Sequence, residues 1–167
     1  MNSMGRRSFL GAAAAAAALA TAQGGPGGDA ARIGVVGTGN RGRSLLGTLL
    51  SIPSVEVPAV CDIDPAAAAA AEEMLVRAGR PAPEKYTEGA TDYRRLLARD
   101  DLDAVVIATP WDSHAAMAVD TMRAGKYAGV EVPAALTVDE CWSLVNTSAE
   151  TGVPCMMLEN WSFRRDN

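Results

Sequence analysis

The sequence predicts an α/β fold, a doubly wound parallel sheet, from three observations. Short apolar runs alternate with amphipathic stretches of helical period along nearly all of the chain after residue 30. One of them, Asp103–Ala108 (DAVVIA), is apolar almost without a break, as expected of a central parallel strand covered on both faces. A glycine-rich turn also closes the first run and opens a helix. Six strands in the order 3-2-1-4-5-6 satisfy this alternation, with a ligand crossing the carboxyl ends at the switch point.

Each element can be placed in turn. The first strand is predicted over Arg32–Val36 and its helix over Gly42–Leu50, with Leu45, Leu46 and Leu49 on one face. Val55–Cys61 is the second strand. Asp64 is a helix cap followed by Pro65 at the first helical position, opening an Ala-rich helix to about Ala78 that Gly79 ends. Lys85–Thr87 reads as a short third strand, and Thr91 or Asp92 caps a helix running to Arg99. Asp103–Ala108 is the fourth strand, followed by a helix over Ser113–Ala124 that Gly125 stops. Tyr127–Val132 is the fifth strand, Thr137–Thr151 a helix and Val153–Glu159 the sixth strand.

Composition sets the outer bounds. A chain of 167 residues has room for about one domain. With 49% hydrophobic and only 5% aromatic residues, its core must rest on Val, Ile, Leu and Met. The net charge is −5 and no basic block exceeds a pair of residues. Nucleic acid is therefore not an expected partner, since phosphate contacts need clustered cations. The three cysteines, Cys61, Cys141 and Cys155, fall in two strands and a helix, and read as buried thiols without a disulfide framework. They show no metal-ligand spacing, and no metal site is expected.

Residues 1–28 stand apart from the fold. Arg6-Arg7-Ser8-Phe9-Leu10 is a twin-arginine pattern before a small-residue apolar run, Gly11 to Ala22. That run is too short for a stable membrane span but suits a signal sequence. Ala20-Thr21-Ala22 offers a cleavage site, and the Gly-rich stretch after it reads as a spacer. The expected organisation is signal and spacer over 1–28, a nucleotide-binding domain over 29–160, and the start of a further α/β domain over 161–167. Export by the twin-arginine route, to the periplasm or beyond the cell, is the expected fate.

The glycine turn carries the chemistry. Gly37-Thr38-Gly39-Asn40-Arg41-Gly42 is G-x-G-x-x-G directly after a strand and opening a helix, the dinucleotide-binding arrangement of a Rossmann fold. Glycines let the backbone approach a pyrophosphate, and the helix N-terminus presents N–H donors and a positive dipole end. Asp62 ends the second strand, 20 residues beyond Gly42. A carboxylate there accepts hydrogen bonds from the adenosine ribose and repels a 2′-phosphate. Ile63 and Asp64 bring no arginine to welcome that phosphate, so NAD is the expected cofactor rather than NADP.

Further motifs resemble a known family. Ala108-Thr109-Pro110 with His114, and later Glu131-Val132-Pro133, are similar to the A-T-P…H and E-K-P stretches of the Gfo/Idh/MocA oxidoreductases. The resemblance runs over essentially all of Arg32–Asn167. Within that family, Trp111-Asp112-Ser113-His114, Gly129 to Pro133, Asp139-Glu140-Cys141-Trp142 and Leu158-Glu159-Asn160 look most like the NAD-dependent glycosidases of glycoside hydrolase family 109. Arg164-Arg165-Asp166 resembles their domain junction. The resemblance implies cofactor contacts at Gly37, Gly39, Asn40, Arg41, Gly42, Asp62, Trp111, Asp112, Ser113, His114, Glu131, Val132 and Asn160, with Arg41 set to neutralise phosphate charge. Blander readings stay open beside these. Trp111 also suits a domain-interface anchor, Asp112 or Ser113 a helix cap, His114 a structural role, and Arg164 and Arg165 a solvated surface.

One departure is informative. Dehydrogenases of the family carry a lysine in E-K-P, where this chain has Val132, which transfers no proton. The E-V-P form belongs to the glycosidase group. The resemblance then implies a redox, elimination and hydration cycle on a terminal α-linked N-acetylgalactosamine-like sugar, with bound NAD regenerated at each turnover. A sugar or polyol dehydrogenase, a degenerate site and a non-catalytic NAD-binding module are the alternatives. Family members continue into a C-terminal α/β substrate domain, so the expectation is an N-terminal fragment that binds NAD without catalysing. The catalytic residues are then unknown, and the oligomeric state of the intact protein is left open.

Replacing Arg6 and Arg7 together with Lys should retain a reporter fusion in the cytoplasm. Unchanged export of the double variant would exclude the twin-arginine assignment.

Overall fold

The computed structural model of the chain describes residues 30–159. The twin-arginine stretch, the spacer, Asn160 and residues 161–167 lie outside the described residues. Six parallel strands form one sheet in the order β3-β2-β1-β4-β5-β6. They are β1 (Ala31–Val36), β2 (Val55–Cys61), β3 (Glu84–Tyr86), β4 (Ala104–Ile107), β5 (Tyr127–Val130) and β6 (Cys155–Met157). The helices between them are α1 (Asn40–Leu50), α2 (Pro65–Arg77), α3 (Tyr93–Leu97), α4 (Trp111–Arg123) and α5 (Val138–Thr151).

Alternation along the central strands divides the core into two layers, because successive side chains point to opposite faces. Val35, Val60 and Val106 pack with Leu46 of α1 and with Ala68, Ala71 and Leu75 of α2. Val36, Cys61, Val105, Ile107 and Val130 face the other way, onto Leu96 of α3 and Ala118 and Met122 of α4. The sheet is thus covered on both sides, as its continuous apolar strands require.

Strand register fixes where a ligand can sit. Val36 is level with Cys61 and Ile107, Cys61 with Tyr86, Ile107 with Val130, and Val130 with Met157. The residues that follow them, among them Gly37, Asp62, Ala108 and Glu131, therefore line one edge of the sheet. At the opposite edge, the Asp101 carboxylate accepts from Arg99 and Arg32, which hold it well below the usual carboxylate range, Arg99 more strongly. That cluster ties the α3–β4 connection to β1.

Helix ends explain where the boundaries differ from expectation. The α1 helix begins at Asn40, two residues early, because Gly39 takes the cap position in an extended conformation. The α4 helix begins at Trp111 behind Pro110, so neither Asp112 nor Ser113 is its cap. Both lie inside the first turn, and the Ser113 hydroxyl sits 2.7 Å from Thr109 Oγ1 and from the Pro110 carbonyl. The α3 helix stops at Leu97, short of Arg99, and Asp92 before it is helical and caps nothing with its side chain. The expected caps at Asp64 and the stop at Gly79 hold: Asp64 accepts from Ala66 N–H, and Gly79 has a positive φ of 73°. In α5, Thr137 is the cap, in a reciprocal box with Glu140. Burial corrects one reading of the cysteines, since Cys61 is buried but Cys155 is half-buried and Cys141 exposed on the outer face of α5.

Candidate functional site

The site begins with a contact that only glycine allows. A Cβ on Gly42 would lie 1.8 Å from the Gly37 carbonyl oxygen. Gly37 has φ +84°, and its own Cβ would meet the Ala108 carbonyl at 2.6 Å. The loop therefore presses against β4 on one side and the first turn of α1 on the other. Gly39 differs: a Cβ there would meet nothing within 4 Å. The loop keeps that side open, in front of a helix N-terminus that no side chain caps. Backbone N–H groups and a positive dipole end at an open face form a seat for an anion.

Asp62 holds this loop from the neighbouring strand. Its Oδ2 accepts from the Thr38 backbone N–H at 2.6 Å and from the Thr38 hydroxyl at 3.1 Å, and its Oδ1 accepts from Asp64 N–H at 2.9 Å. A carboxylate has about four acceptor sites, so with three taken about one remains, enough for a ribose hydroxyl. Beside it opens a cavity of about 510 Å³. Gly37, Gly39 and Asp62 line it, as do Asp112 and Ser113 on α4. The Ala108-Thr109-Pro110 stretch lines it too, and sequence reasoning missed other parts of its wall: Ile63 after β2, Gly89 and Ala90 in the β3–α3 loop, Tyr93, and Met117 one turn along α4. Ile63, 67% exposed, carried a legible signal, since it directly follows Asp62 in the sequence. The others did not, because their meeting depends on how α3 and α4 pack across β4. Cys61 closes the floor, its thiol pushed up to about 12 mainly by burial and further by the Asp92 and Asp62 charges, and so unreactive.

The remaining expected contacts gather along the same edge in a different way. The guanidinium of Arg41 is bound to the buried carboxylate of Glu131, with Nε at 2.8 Å and Nη2 at 2.6 Å from the same oxygen. Its charge is thus engaged by a side chain after β5. His114 is buried at 1% exposure and is absent from the cavity wall. Its ring nitrogens lie 2.8 Å from the Pro133 and Thr109 carbonyl oxygens, bridging the loops after β5 and β4. Both partners are acceptors, so a doubly protonated ring donates to both and a neutral ring to one. This geometry makes His114 a strut between loops. Trp111 is 63% exposed at the mouth of the edge, and Val132 is half-buried after β5. Asn160 lies outside the described residues. Among the described residues no cluster of His, Cys, Asp or Glu could hold a metal ion.

A dinucleotide fits this edge: the loop is closed where a Cβ would clash, open at Gly39, and flanked by a carboxylate and an apolar cavity. Comparison with known proteins agrees. Residues 31–159 match the Gfo/Idh/MocA family, described as an oxidoreductase family with an NAD-binding Rossmann fold. A glycosyl hydrolase family 109 protein of Saccharopolyspora erythraea is 46% identical over 138 residues, covering 83% of this chain and 30% of that protein. An alpha-N-acetylgalactosaminidase of Shewanella oneidensis is 46% identical over the same extent of both chains. The chain thus spans about 30% of the length of these curated relatives. Among solved structures, the WlbA dehydrogenase of Bordetella pertussis, in complex with NADH and UDP-GlcNAcA, is 26% identical with a TM-score of 0.69, over 81% of this chain and 39% of that one. A scyllo-inositol dehydrogenase of Lactobacillus casei with NAD(H) and scyllo-inositol reaches a TM-score of 0.70 at 21% identity, over 82% and 38%, a likeness of fold.

Asp62→Ala should weaken NAD binding by about 1.5–3 kcal/mol, the range for hydrogen bonds to a charged group. The variant should also narrow the preference over NADP, because the repulsion of the 2′-phosphate goes with the carboxylate. Calorimetry giving the same two affinities before and after would show that Asp62 does not hold the ribose.

Proposed function

The chain belongs to the Gfo/Idh/MocA oxidoreductase family, as its NAD-binding Rossmann domain, and on that premise we propose that the protein carrying it is an exported NAD-dependent glycosidase. Its substrate class is a terminal α-linked N-acetylgalactosamine or a close analogue. The similarity to an alpha-N-acetylgalactosaminidase supports the substrate class. The observation that carries the glycosidase reading over a dehydrogenase is Val132, which stands after β5 where the family's dehydrogenases place a lysine.

The roles follow from the edge of the sheet. The Gly37–Gly42 loop and the N-terminus of α1 would hold the pyrophosphate, and Asp62 the adenosine ribose. Ile63 and Tyr93 offer apolar surface to the adenine side. Glu131 and Val132, after β5, flank the nicotinamide side. Bound there, NAD supplies reversible acceptance of hydride from a sugar carbon. Val132 contributes no proton transfer, so its part is to exclude water from that side. His114 holds the two loops that frame this side at a fixed separation. A cycle that returns the hydride needs no outside supply of dinucleotide. That suits a route of export that carries folded proteins with their cofactor.

A second reading, a sugar or polyol dehydrogenase, is favoured by the solved dehydrogenases of similar fold. The two differ in net redox change. With p-nitrophenyl α-N-acetylgalactosaminide, the protein carrying this domain should release nitrophenol with no net formation of NADH. Accumulation of NADH in step with a sugar or polyol, without glycoside cleavage, would overturn the glycosidase reading in favour of the dehydrogenase.

A further inference from the structure

The wall that Gly89, Ala90 and Tyr93 give to the cavity is held by a buried charge that does not itself line the cavity. Asp92 has a side chain only 2% exposed. Its Oδ2 accepts from the Glu88 backbone N–H at 2.9 Å, and its Oδ1 accepts from Arg95 at 3.0 Å. The Asp92 backbone N–H donates to the Gly89 carbonyl at 3.1 Å, closing a turn in which Gly89 takes φ +114°. Arg95 in turn reaches the Glu88 carboxylate at 2.7 Å, and its guanidinium lies 5.6 Å from the centre of the Tyr86 ring. Residues 88–92 are thereby laced to β3 and to the first turn of α3. Gly89, Ala90 and Tyr93, which this lacing positions, face the cavity beside Asp62 and Ile63. Tyr93 is fixed a second time, its hydroxyl donating to Asp120 on α4 at 2.6 Å.

A buried carboxylate needs such partners, and their loss is costly because the group is left without compensation. Helix capping does not account for Asp92, since α3 receives no side-chain cap from it. What its two hydrogen bonds fix is the position of a short loop, and that loop's other side is the cavity wall.

We propose that Asp92 is a positioning residue for the dinucleotide, setting affinity for its adenosine half by holding the Gly89–Ala90 wall without touching the ligand. The proposal rests on the reading of this cavity as the adenosine end of the NAD site. Its action is local: the glycine loop, tied to Asp62 and β4, is built from other contacts.

The test uses the full chain, AMP as the probe and Asp92→Asn, which keeps the size of the side chain and removes its charge. Arg95→Gln, at a largely exposed position, perturbs the same lacing from outside and guards against a failure of the first variant to fold. Chemical-shift titration should show AMP affinity falling about tenfold in Asp92→Asn, and in the same direction in Arg95→Gln. Amide exchange should quicken at Glu88 and stay unchanged from Gly37 to Gly42. Unchanged AMP affinity, or faster exchange spread evenly over the domain, would overturn the positioning role. Failure of the unaltered chain to bind AMP would instead remove the adenosine reading of the cavity, and the proposal with it.

Discussion

The approach of α1 to the first strand's turn, with no room for a Cβ on Gly42 against the Gly37 carbonyl, is the constraint on which the rest of the site depends. It brings the N-terminus of α1 to the carboxyl edge of the sheet, where the cap residue, Gly39, has no side chain to satisfy the helix's first N–H groups. An uncapped helix end is normally a small loss of stability. Here it stands beside open space at Gly39, so the unsatisfied donors form a surface suited to an anion.

The other contacts along that edge tie neighbouring strands to one another. Asp62 bonds the glycine loop to the end of β2. Arg41 joins the first turn of α1 to Glu131 after β5, and His114 joins the loops after β4 and β5. A ligand spanning the switch point thus meets an edge whose parts are already held in place, which lowers the ordering cost of binding. The Arg41 pair is a close one: the carboxylate is buried and takes two nitrogens on a single oxygen. Any role of Arg41 toward phosphate therefore involves sharing or exchanging that partner.

The fold was legible because its signals are local. Period-2 and 3.6-residue patterns, the Asp64-Pro65 start and the glycine stops at Gly79 and Gly125 each act over a few residues. Strand order followed from the dinucleotide-binding arrangement that six such units satisfy. G-x-G-x-x-G and Asp62 were legible for the same reason, since one turn and one strand end suffice to place them. Less local facts escaped. Nothing in the spacing of Trp111, Asp112, Ser113 and His114 says that Pro110 takes the cap position, or that the histidine turns inward to two carbonyls. The outward face of Cys141 depends on α5 packing through Leu144 and Thr147. Ala90, Tyr93 and Met117 share a cavity only after α3 and α4 are laid over β4.

Gly39→Ala is the variant that addresses the central claim most directly. A Cβ there meets no atom of the protein within 4 Å, and the residue's φ of −63° is open to alanine. The account predicts unfolding behaviour like that of the unaltered chain, with NAD affinity by calorimetry reduced at least about tenfold. On this account the added methyl takes up space that the pyrophosphate would occupy. NAD binding at unaltered affinity in a stably folded Gly39→Ala chain would contradict it, and with it the assignment of this loop as the cofactor's seat.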